Sequence, residues 1–320
     1  MRAFALCIYS FLCVTSSIHA QDFPQRTVRI VVPYAPSGNV DITARTMSQA
    51  FSDALGVQVV IDNRPGAGGG IGTTAVAKSP ADGYTLLLGS SGTITGGPAI
   101  YKNLAYDPIR DFVAIGAIQS VPMVLTAAPK TPVNNFRELL AYAKSKNAPI
   151  TMASAGTGTS NHLALELLAR EARFPVTHVP YKGSGPALTD LIGSQVETMM
   201  DQLTASIEHI RAGRIKPLGV SSKQRSSQIP TVPTFEEMGV IGYEATTFTG
   251  LFAPAGLAPA TQEKLQVALR KALAIESVRE RYRSMGVEMM SMNPTEFSTY
   301  VRADLDKWRK VARDANIVAD

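Results

Sequence analysis

Two stretches of this chain share one plan: an apolar strand, a loop of small residues, and then a helix. The first is VRIVVPYAPSGN at residues 28–39, and a helical pattern follows it from Val40. The second is ITMASAGTGTS at residues 150–160, followed by a helix through Leu163 and Leu167. Small residues let a ligand approach the backbone, and the free N–H groups at a helix start favour an anion. The two loops therefore predict two surfaces that close around one anionic ligand.

Strand and helix patterns alternate along most of the chain, which predicts an α/β fold with layers of helices on parallel strands. Ten strands are many for one sheet, so we predict two doubly wound α/β domains joined by a hinge. The predicted strands are 28–33, 57–62, 84–89, 112–118, 122–127, 149–154, 176–179, 196–201, 215–221 and 244–252. The predicted helices are 40–55, 71–78, 135–146, 160–172, 185–193, 203–212, 260–274, 276–285 and 295–315.

The second domain is predicted to be an insertion in the first. The apolar stretch 112–127 suits a strand that crosses between domains, and the polar, proline-containing segment 221–234 suits the return crossing. The first domain is then 21–123 together with 225–320, and the second is 124–224. Two connections at a waist form a hinge, which lets the domains close on a ligand in the cleft between them.

The N-terminus has the pattern of a secretory signal peptide. Arg2 precedes an apolar run at residues 3–14, and small residues lead to an expected cleavage site near Ala20. The residues before the two cysteines of this run are too large for a lipidation site. Removing residues 1–20 takes away both cysteines and Arg2, so the net charge falls from +5 to +4. We therefore expect an exported protein without disulfides.

The mild positive charge does not indicate binding to nucleic acid. Basic and acidic residues are interspersed, and no basic stripe runs beside aromatic residues. After Ala20, no apolar run is long enough to span a bilayer. The sequence is that of an ordinary soluble surface with a slight preference for anions.

The loop at 154–160 offers hydroxyl groups and flexible backbone N–H groups. No acidic residue follows it until Glu166, beyond the first turn of the helix, where an acid would offset the helix dipole. This pattern predicts an anion site. A capping role for Thr159 or Ser160 at the start of the helix is compatible with it.

The loop at 34–41 is similar but contains an acid close to the start of its helix. Asp41 has two interpretations. It stabilises its own helix with Arg45 as its i+4 partner, or it has a functional role in which it orders the loop or meets a hydroxyl or amine of the ligand. The sequence leaves both open.

Two other segments supply candidate contacts. Tyr181 and Lys182 lie between a predicted strand and a predicted helix. In one interpretation both face the cleft, where the Tyr181 ring forms a wall and the Lys182 ammonium pairs with a carboxylate of the ligand. In the other, they belong to a solvent-exposed turn. Asp201 ends a strand, where doubly wound sheets place their ligands. It holds a polar group of the ligand or caps the next helix.

No cofactor, metal or catalytic site is predicted. The glycine run at 66–72 lacks the spacing of a dinucleotide-binding loop. We find no histidine with a His, Cys or acidic partner at i+3 or i+4 arranged for a metal. A triad of Ser160, His162 and Asp201 is disfavoured, because Ser160 and His162 diverge on a helix and no nucleophile elbow surrounds Ser160. His162 is instead expected to reach the cleft from the first turn of its helix.

Six motifs, in their order along the chain, resemble the Bug (TctC-like) solute-binding proteins of tripartite tricarboxylate transporters. The similarity covers essentially the whole chain after the predicted signal peptide. The motifs are VVPYAPSGNVDITAR at 31–45, DNRPGAGG at 62–69, PADGYTLL at 80–87, YDPIRDF at 106–112, GTGTSNH at 156–162 and APAGL at 253–257. The resemblance implies a type II periplasmic binding protein, located in the periplasm, that closes over a small carboxylate with bridging waters.

Two positions depart from the pattern of the resembled family. Ser37 stands where the first glycine of an Ala-Pro-Gly-Gly loop is usual, so ligand size or orientation is expected to differ from that in relatives. Gln202 follows Asp201 where the family often has asparagine. Its longer amide lines the expected pocket, so the resemblance does not carry over a specific ligand.

We therefore predict a monomeric solute-binding protein that delivers a small organic carboxylate to the membrane permease subunits of a tripartite tricarboxylate-type transporter. One alternative is a ligand-sensing subunit that signals to a sensor kinase of a two-component system. Another is an exported hydrolase that depends on Ser160. The candidate ligand-binding residues are Tyr34, Ala35, Ser37, Gly38, Asp41, Ser90, Ser154, Gly156, Thr157, Thr159, His162, Tyr181 and Asp201.

Overall fold

The computed structural model describes residues 23–314 and 317–318, so the predicted signal peptide lies outside the described residues. The strands are β1 (Val28–Val32), β2 (Val59–Asn63), β3 (Thr85–Ser90), β4 (Phe112–Ala127), β5 (Ile150–Ser154), β6 (Val176–Pro180), β7 (Thr198–Gln202), β8 (Lys216–Val220), β9 (Thr246–Pro254) and β10 (Glu288–Met289). The helices are α1 (Asn39–Leu55), α2 (Gly70–Ala77), α3 (Gly97–Ile100), α4 (Phe136–Ser145), α5 (Ser160–Glu171), α6 (Ser184–Ile192), α7 (Leu203–Arg211), α8 (Pro259–Ala274), α9 (Glu276–Ser284) and α10 (Pro294–Asp314).

Most predicted strands and helices are found within two or three residues of their expected bounds. The sequence did not indicate the short strand β10, a 3-10 turn at Ala67–Gly69, or the π-helical segment Gly92–Gly96 that leads into α3. Among the described residues, no helix is both long and apolar enough to cross a membrane.

The α/β fold class is confirmed, with a sheet that is mixed rather than parallel throughout. The strand order is β2-β1-β3-β9-β4-β7-β5-β6, with β8 and β10 also paired to β4. The strands at the two ends, β2-β1-β3 and β7-β5-β6, are parallel as expected. In the centre, β9 and β4 run antiparallel to their neighbours. A long loop rather than a crossover helix leads into β9, and antiparallel pairing does not need a crossover helix.

Strand β4 connects the two ends of the sheet. The separate strands predicted at 112–118 and 122–127 are wrong, whereas the continuous strand expected over 112–127 is found, because β4 runs unbroken through Pro122. Up to Pro122 it pairs with β9, and from Met123 it pairs with β7. Proline has no N–H to donate to a sheet, and here it lies where the pairing partner changes. The interrupted pattern in the sequence therefore marks a change of partner.

Apolar clusters lie on both sides of this change of partner. One contains α1, α8 and α9 packed on β1 and β3, and another contains α4 and α5 packed on β5. Helix α10 contributes to two clusters: Phe297 packs near Phe248 of β9, whereas Trp308 packs in the cluster around β5. The domain boundaries remain a prediction.

The turn before α1 holds a residue other than glycine in the left-handed region. Ser37 has a φ of 68° and an exposed side chain. Its N–H donates to the carboxylate of Asp41 over 2.9 Å, and Arg45 donates to the same carboxylate. These bonds hold the turn although the left-handed region costs a side-chain-bearing residue roughly 1–2 kcal/mol.

We predict that Ser37→Gly stabilises the protein by about 0.5 kcal/mol. Glycine adopts a positive φ without a steric cost, and this gain exceeds the entropy that glycine adds to the unfolded chain. The midpoint of urea unfolding measures the change. Ser37→Ala keeps the left-handed strain and is expected to bring no gain. Equal midpoints for the two variants would contradict the explanation.

Candidate functional site

Loops that follow the carboxyl ends of four strands, two from each end of the sheet, come into contact with one another. We call residues 34–38 and 66–70, which follow β1 and β2, the first loop set. Residues 154–159 and 181–184, which follow β5 and β6, form the second loop set. The carboxyl ends of strands are where open α/β sheets place ligands.

The two loop sets touch directly, since the Ala35 N–H donates to the carbonyl oxygen of Lys182 over 3.2 Å. Tyr101, which follows α3 and belongs to neither set, donates its hydroxyl to the carbonyl oxygen of Thr157 over 2.9 Å. Gly68 lies so close to Thr157 that an added β-carbon would overlap the Thr157 carbonyl oxygen. The contact therefore depends on small residues and exposed backbone on both sides.

Two cavities remain between the loop sets. The larger has a volume of about 160 Å³ and is lined by Tyr34, Gly66, Ala67, Gly68, Gly69, Tyr101, Ala155, Gly156, Thr157, Tyr181 and Lys182. The smaller, of about 20 Å³, is lined by Tyr34, Gly38, Asn39, Val40, Ala155, Asn161, Ser184 and Gln202. Both loop sets contribute to each cavity, so any molecule held there contacts both.

Unpaired backbone N–H groups give the larger cavity its chemistry. Within the described part of the chain, the N–H groups of Gly68, Ala155 and Thr157 have no hydrogen-bond acceptor. These three residues come from both loop sets and line the same cavity. Backbone N–H groups gathered in this way form a concavity suited to an anion.

Tyrosine rings form the walls of this cavity, and their hydroxyls are already paired. The Tyr34 hydroxyl lies 3.3 Å from Ser90 Oγ, and the Tyr181 hydroxyl donates to Asp190 over 2.7 Å. Burial raises the pKa of Tyr34 to about 12, and burial with the Asp190 hydrogen bond raises that of Tyr181 to about 12. These tyrosines therefore remain neutral near neutral pH.

Five predicted site residues line a cavity, and Ala35 contacts the opposite loop set through its backbone. The five are Tyr34, Gly38, Gly156, Thr157 and Tyr181. The other candidates line neither cavity: Ser37, Asp41, Ser90, Ser154, Thr159, His162 and Asp201. The exposed Ser37 side chain does not line either cavity, so the cavities give no support to its predicted effect on ligand size.

Asp41 orders its loop. The N–H of Ser37, the guanidinium of Arg45 and the amide of Asn63 all donate to its carboxylate. Although burial opposes it, these hydrogen bonds hold the pKa of Asp41 below its usual value. The Arg45 contact fits the first interpretation, and the Ser37 and Asn63 contacts fit the loop-ordering role in the second.

The loop at 154–159 is held by its own side chains. Thr159 caps α5, since its Oγ1 accepts the N–H of His162 and donates to the carbonyl oxygen of Gly156. Ser154 Oγ accepts the N–H of Gly156 over 3.1 Å and lies 2.6 Å from His178 Nε2. His162 Nδ1 accepts the N–H of Gly158 over 3.3 Å. The side chains of Ser154, Thr159 and His162 therefore hold the loop in place, although none of these residues lines a cavity.

Asp201 is fully buried beneath the smaller cavity. Its carboxylate accepts hydrogen bonds from Ser184, Asn161 and Ser206, at 2.6, 2.9 and 3.3 Å. Burial raises its pKa to about 6, although these donors oppose the shift. Ser184 begins α6 and Asn161 lies in α5, so Asp201 ties two helix starts of the second loop set together.

The residues considered as a triad do not form one. His162 contacts Gly158 and Glu166, whereas Asp201 contacts Asn161 and the two serines already named. The imidazole and the carboxylate are therefore engaged in separate hydrogen-bond networks.

The prediction that no histidine has a His, Cys or acidic partner at i+3 or i+4 is wrong for His162. Glu166 is an acidic i+4 partner of His162, with Oε1 at 3.5 Å from Nε2, and His178 completes a group of three possible metal ligands. The rings of His162 and His178 are stacked, with centroids 4.1 Å apart and planes 15° apart. Nearly parallel rings do not aim their in-plane lone pairs at one ion, so the group would need to rearrange before it could coordinate a metal.

Sequence reasoning missed several lining residues. Gly66–Gly69 lie within a quoted motif, but their spacing excluded a dinucleotide-binding loop and no other role was predicted for them. Tyr101 and Ala155 carry no pattern that marks them, because their position depends on how distant segments pack. Asn161 was visible only as part of the GTGTSNH motif, and it now links Asp201 to Gln202.

We predict that Asp201→Asn flattens the pH dependence of stability between pH 4 and pH 6. A carboxyl group whose pKa is raised by folding stabilises the protein at low pH, and this contribution is lost as the pH rises through the folded value. Relative to Asp201→Asn, the wild type should therefore lose on the order of 2 kcal/mol of unfolding free energy across this window. Urea unfolding at a series of pH values measures the difference.

Asp306→Asn is the matched control, because it removes the same charge from an exposed position of α10. Its stability curve is expected to run parallel to that of the wild type. A curve for Asp201→Asn that is also parallel would contradict the assignment.

Comparisons with known proteins agree with this architecture. The model of the family described as "Tripartite tricarboxylate transporter family receptor" matches residues 43–317. The chain is 38% identical over 93% of its length to a UPF0065 protein from the tcbD-tcbE intergenic region of Pseudomonas sp. strain P51, covering 89% of that protein. It is 33% identical over 94% of its length to the protein BugT of Bordetella pertussis, covering 93% of it.

Solved structures of similar proteins share the fold of this chain over most of its length. The periplasmic binding protein BugD has a TM-score of 0.90 and 36% identity, covering 93% of this chain and 100% of that one. R. palustris Rpa4515 with adipate has a TM-score of 0.89 and 34% identity, and the match covers 93% of this chain and 99% of that one. MatC from Rhodopseudomonas palustris with bound malate has a TM-score of 0.86 and 33% identity, and the match covers 90% of this chain and 99% of that one.

The resemblance drawn from the six sequence motifs is thus confirmed, and so is the two-domain binding-protein fold. Members of this family are receptors that bind solutes and are not enzymes. The chain belongs to the tripartite tricarboxylate transporter receptor family, the TctC or Bug family of periplasmic solute-binding proteins.

Proposed function

We propose that this protein captures a small organic carboxylate between its two loop sets and delivers it to the membrane subunits of a tripartite tricarboxylate-type transporter. The unpaired N–H groups of Gly68, Ala155 and Thr157 carry the proposal. A carboxylate oxygen accepts hydrogen bonds from such groups without a countercharge, and a buried N–H without an acceptor is otherwise costly.

The lining of the larger cavity favours an acid without an ammonium group. Among the described residues that line it, none is acidic, and Lys182 is the only charged one. An amino acid would leave its ammonium without a carboxylate partner, which is costly in a partly dry site. Lys182 lines the same cavity and is the cation available to a second carboxylate. The similar proteins from R. palustris with adipate and with malate fit this chemistry.

Delivery requires the cleft to open, and the chain offers two connections for a hinge. One lies in β4 at Pro122, where the strand changes partner, and the other in the predicted return crossing at 221–234. In this proposal the domains are 21–123 with 225–320, and 124–224. Residues 1–20 direct export, and the mature protein acts as a monomer in the periplasm.

The proposal is tested by calorimetric titration of the mature chain with malate, succinate, adipate, benzoate, aspartate and the uncharged succinamide. We expect at least one dicarboxylate to bind with a dissociation constant in the micromolar range or below. Succinamide should not bind, and aspartate should bind at least about tenfold more weakly than succinate, which costs 1.4 kcal/mol. If none of the acids binds, the proposed function is wrong.

Two glycine variants separate the cavity from general damage to the fold. Gly68→Ala places a β-carbon against the Thr157 carbonyl oxygen and should weaken binding at least about tenfold. Gly213→Ala is the matched control, because Gly213 has a φ of 65° against 60° for Gly68 but nothing within 4 Å. It carries the same backbone strain and should bind normally. Equal losses in both variants would show that the approach of the loop sets is unimportant for binding.

A further inference from the structure

The two sides of the cleft also meet outside both cavities. Ala35 and Pro36 on the first side lie against Gly183 and Gly185 on the second, and we call these four residues the outer contact. None of the four lines a cavity. One hydrogen bond joins the two sides here, from the Ala35 N–H to the carbonyl oxygen of Lys182 over 3.2 Å. The outer contact is therefore separate from the space proposed for the ligand.

The outer contact has no room for additional atoms. A β-carbon at position 183 would lie 3.0 Å from the β-carbon of Ala35, and Gly183 has a φ of 140°, which side-chain-bearing residues rarely adopt. A β-carbon at position 185 would lie 2.6 Å from the carbonyl oxygen of Pro36. Gly185 lies inside helix α6, so this oxygen, rather than the backbone conformation, opposes a side chain there. Packing against the opposite side is therefore what requires glycine at position 185.

A buried carboxylate holds the first half of the outer contact in place. Asp41 accepts the N–H of Ser37, which directly follows Pro36, over 2.9 Å. The side-chain amide of Asn63 donates to the carboxylate of Asp41 and to the carbonyl oxygen of Tyr34, over 3.0 Å in each case. The loop is thus bonded to one network both before and after the two residues that meet the opposite side.

A second buried carboxylate holds the other half. Ser184 lies between the two glycines of the outer contact, and its hydroxyl donates to the carboxylate of Asp201 over 2.6 Å. Asn161 and Ser206 donate to the same carboxylate. Neither Asp41 nor Asp201 lines a cavity. Each of these acids therefore supports one side of the outer contact.

The outer contact joins two parts of the chain that the proposed function requires to separate. Positions 35 and 36 belong to the predicted domain 21–123 with 225–320, and positions 183 and 185 belong to 124–224. Opening of the cleft would break the contact, and closure would form it again. A contact that exists only in the closed protein shifts the equilibrium toward that state, and so raises the affinity for any ligand that is held by closure.

We propose that the outer contact determines the stability of the closed protein, and hence the affinity and residence time of the ligand, with Gly185 as the positioning residue that lets the two sides meet. This inference rests on the proposed function, because it concerns closure of the same cleft. The cavity lining selects the ligand, whereas the outer contact changes the affinity for every ligand by the same factor.

The test is Gly185→Ala, which removes no polar group and fills the space in front of the Pro36 carbonyl oxygen. Overpacking of this kind should weaken binding at least about tenfold. Calorimetry with malate, succinate and adipate gives the affinities, and surface plasmon resonance gives the dissociation rates. We expect the same factor for each acid that binds the wild type. The loss should appear as faster dissociation, because the ligand enters the open protein and is retained by closure.

Gly193→Ala is the matched control. Gly193 directly follows the last residue of α6 with a φ of −70°, and a β-carbon there would have its nearest neighbour at 3.4 Å, an ordinary contact. This variant should bind like the wild type. The urea midpoint of ligand-free Gly185→Ala should equal or exceed that of the wild type, because opening relieves the clash and alanine favours a helix. Weaker binding with a lower midpoint would indicate damage to the fold and would contradict the inference.

The remaining outcomes separate this inference from the proposed function. Unchanged affinity in Gly185→Ala, for acids that bind the wild type, would overturn the inference and leave the proposed function intact. A loss that differs strongly from one acid to another would also overturn it, because position 185 would then act on the ligand itself. If no acid binds the wild type, the proposed function fails and the inference fails with it.

Discussion

The site depends on how closely the backbones of two loops approach each other. Gly68 and Thr157 come from opposite loop sets, and their separation leaves no room for a side chain at position 68. The Tyr101 hydroxyl bridges to the same Thr157 carbonyl group. This contact brings N–H groups from two distant parts of the chain to one small cavity. Neither loop set alone encloses that space.

The two buried carboxylates near the cleft, Asp41 and Asp201, hold the loops in position. Asp41 is bound by Arg45, Asn63 and a backbone N–H, so it shapes the turn before α1. Asp201 joins the starts of α5 and α6 through Asn161 and Ser184. Both carboxylates are buried and already satisfied, which leaves backbone N–H groups as the donors for a ligand. An anion is then recognised by the polarity of the backbone.

Local sequence patterns were sufficient to predict the elements and the two principal loops. Apolar runs followed by small residues located β1 and β5, and the cap residue Thr159 was visible as a candidate. The antiparallel centre of the sheet was not predictable, because periodicity identifies strands but does not give their direction. Pro122 also interrupted the sequence pattern inside β4. In the sequence, a change of pairing partner within one strand cannot be distinguished from the end of a strand.

The components of the site that depend on tertiary packing were not predictable from one sequence. Tyr101 reaches Thr157 across 56 positions, and His178 stacks on His162 from a different element. Asp201 was selected as a ligand contact because it ends a strand, and Ser154 because of its hydroxyl in the 154–160 loop, but neither residue lines a cavity. Strand ends indicate the location of a cleft, whereas packing decides which side chains face it.

The central claim is that the two loop sets close on one carboxylate, and a distance measurement tests it most directly. Lys78→Cys at the end of α2 and Glu171→Cys at the end of α5 place spin labels on exposed positions of the two sides. With the acid that binds most tightly at saturation, electron-electron resonance should give one narrow distance distribution, shorter than that of the ligand-free protein. Identical distributions with and without that acid would contradict the claim.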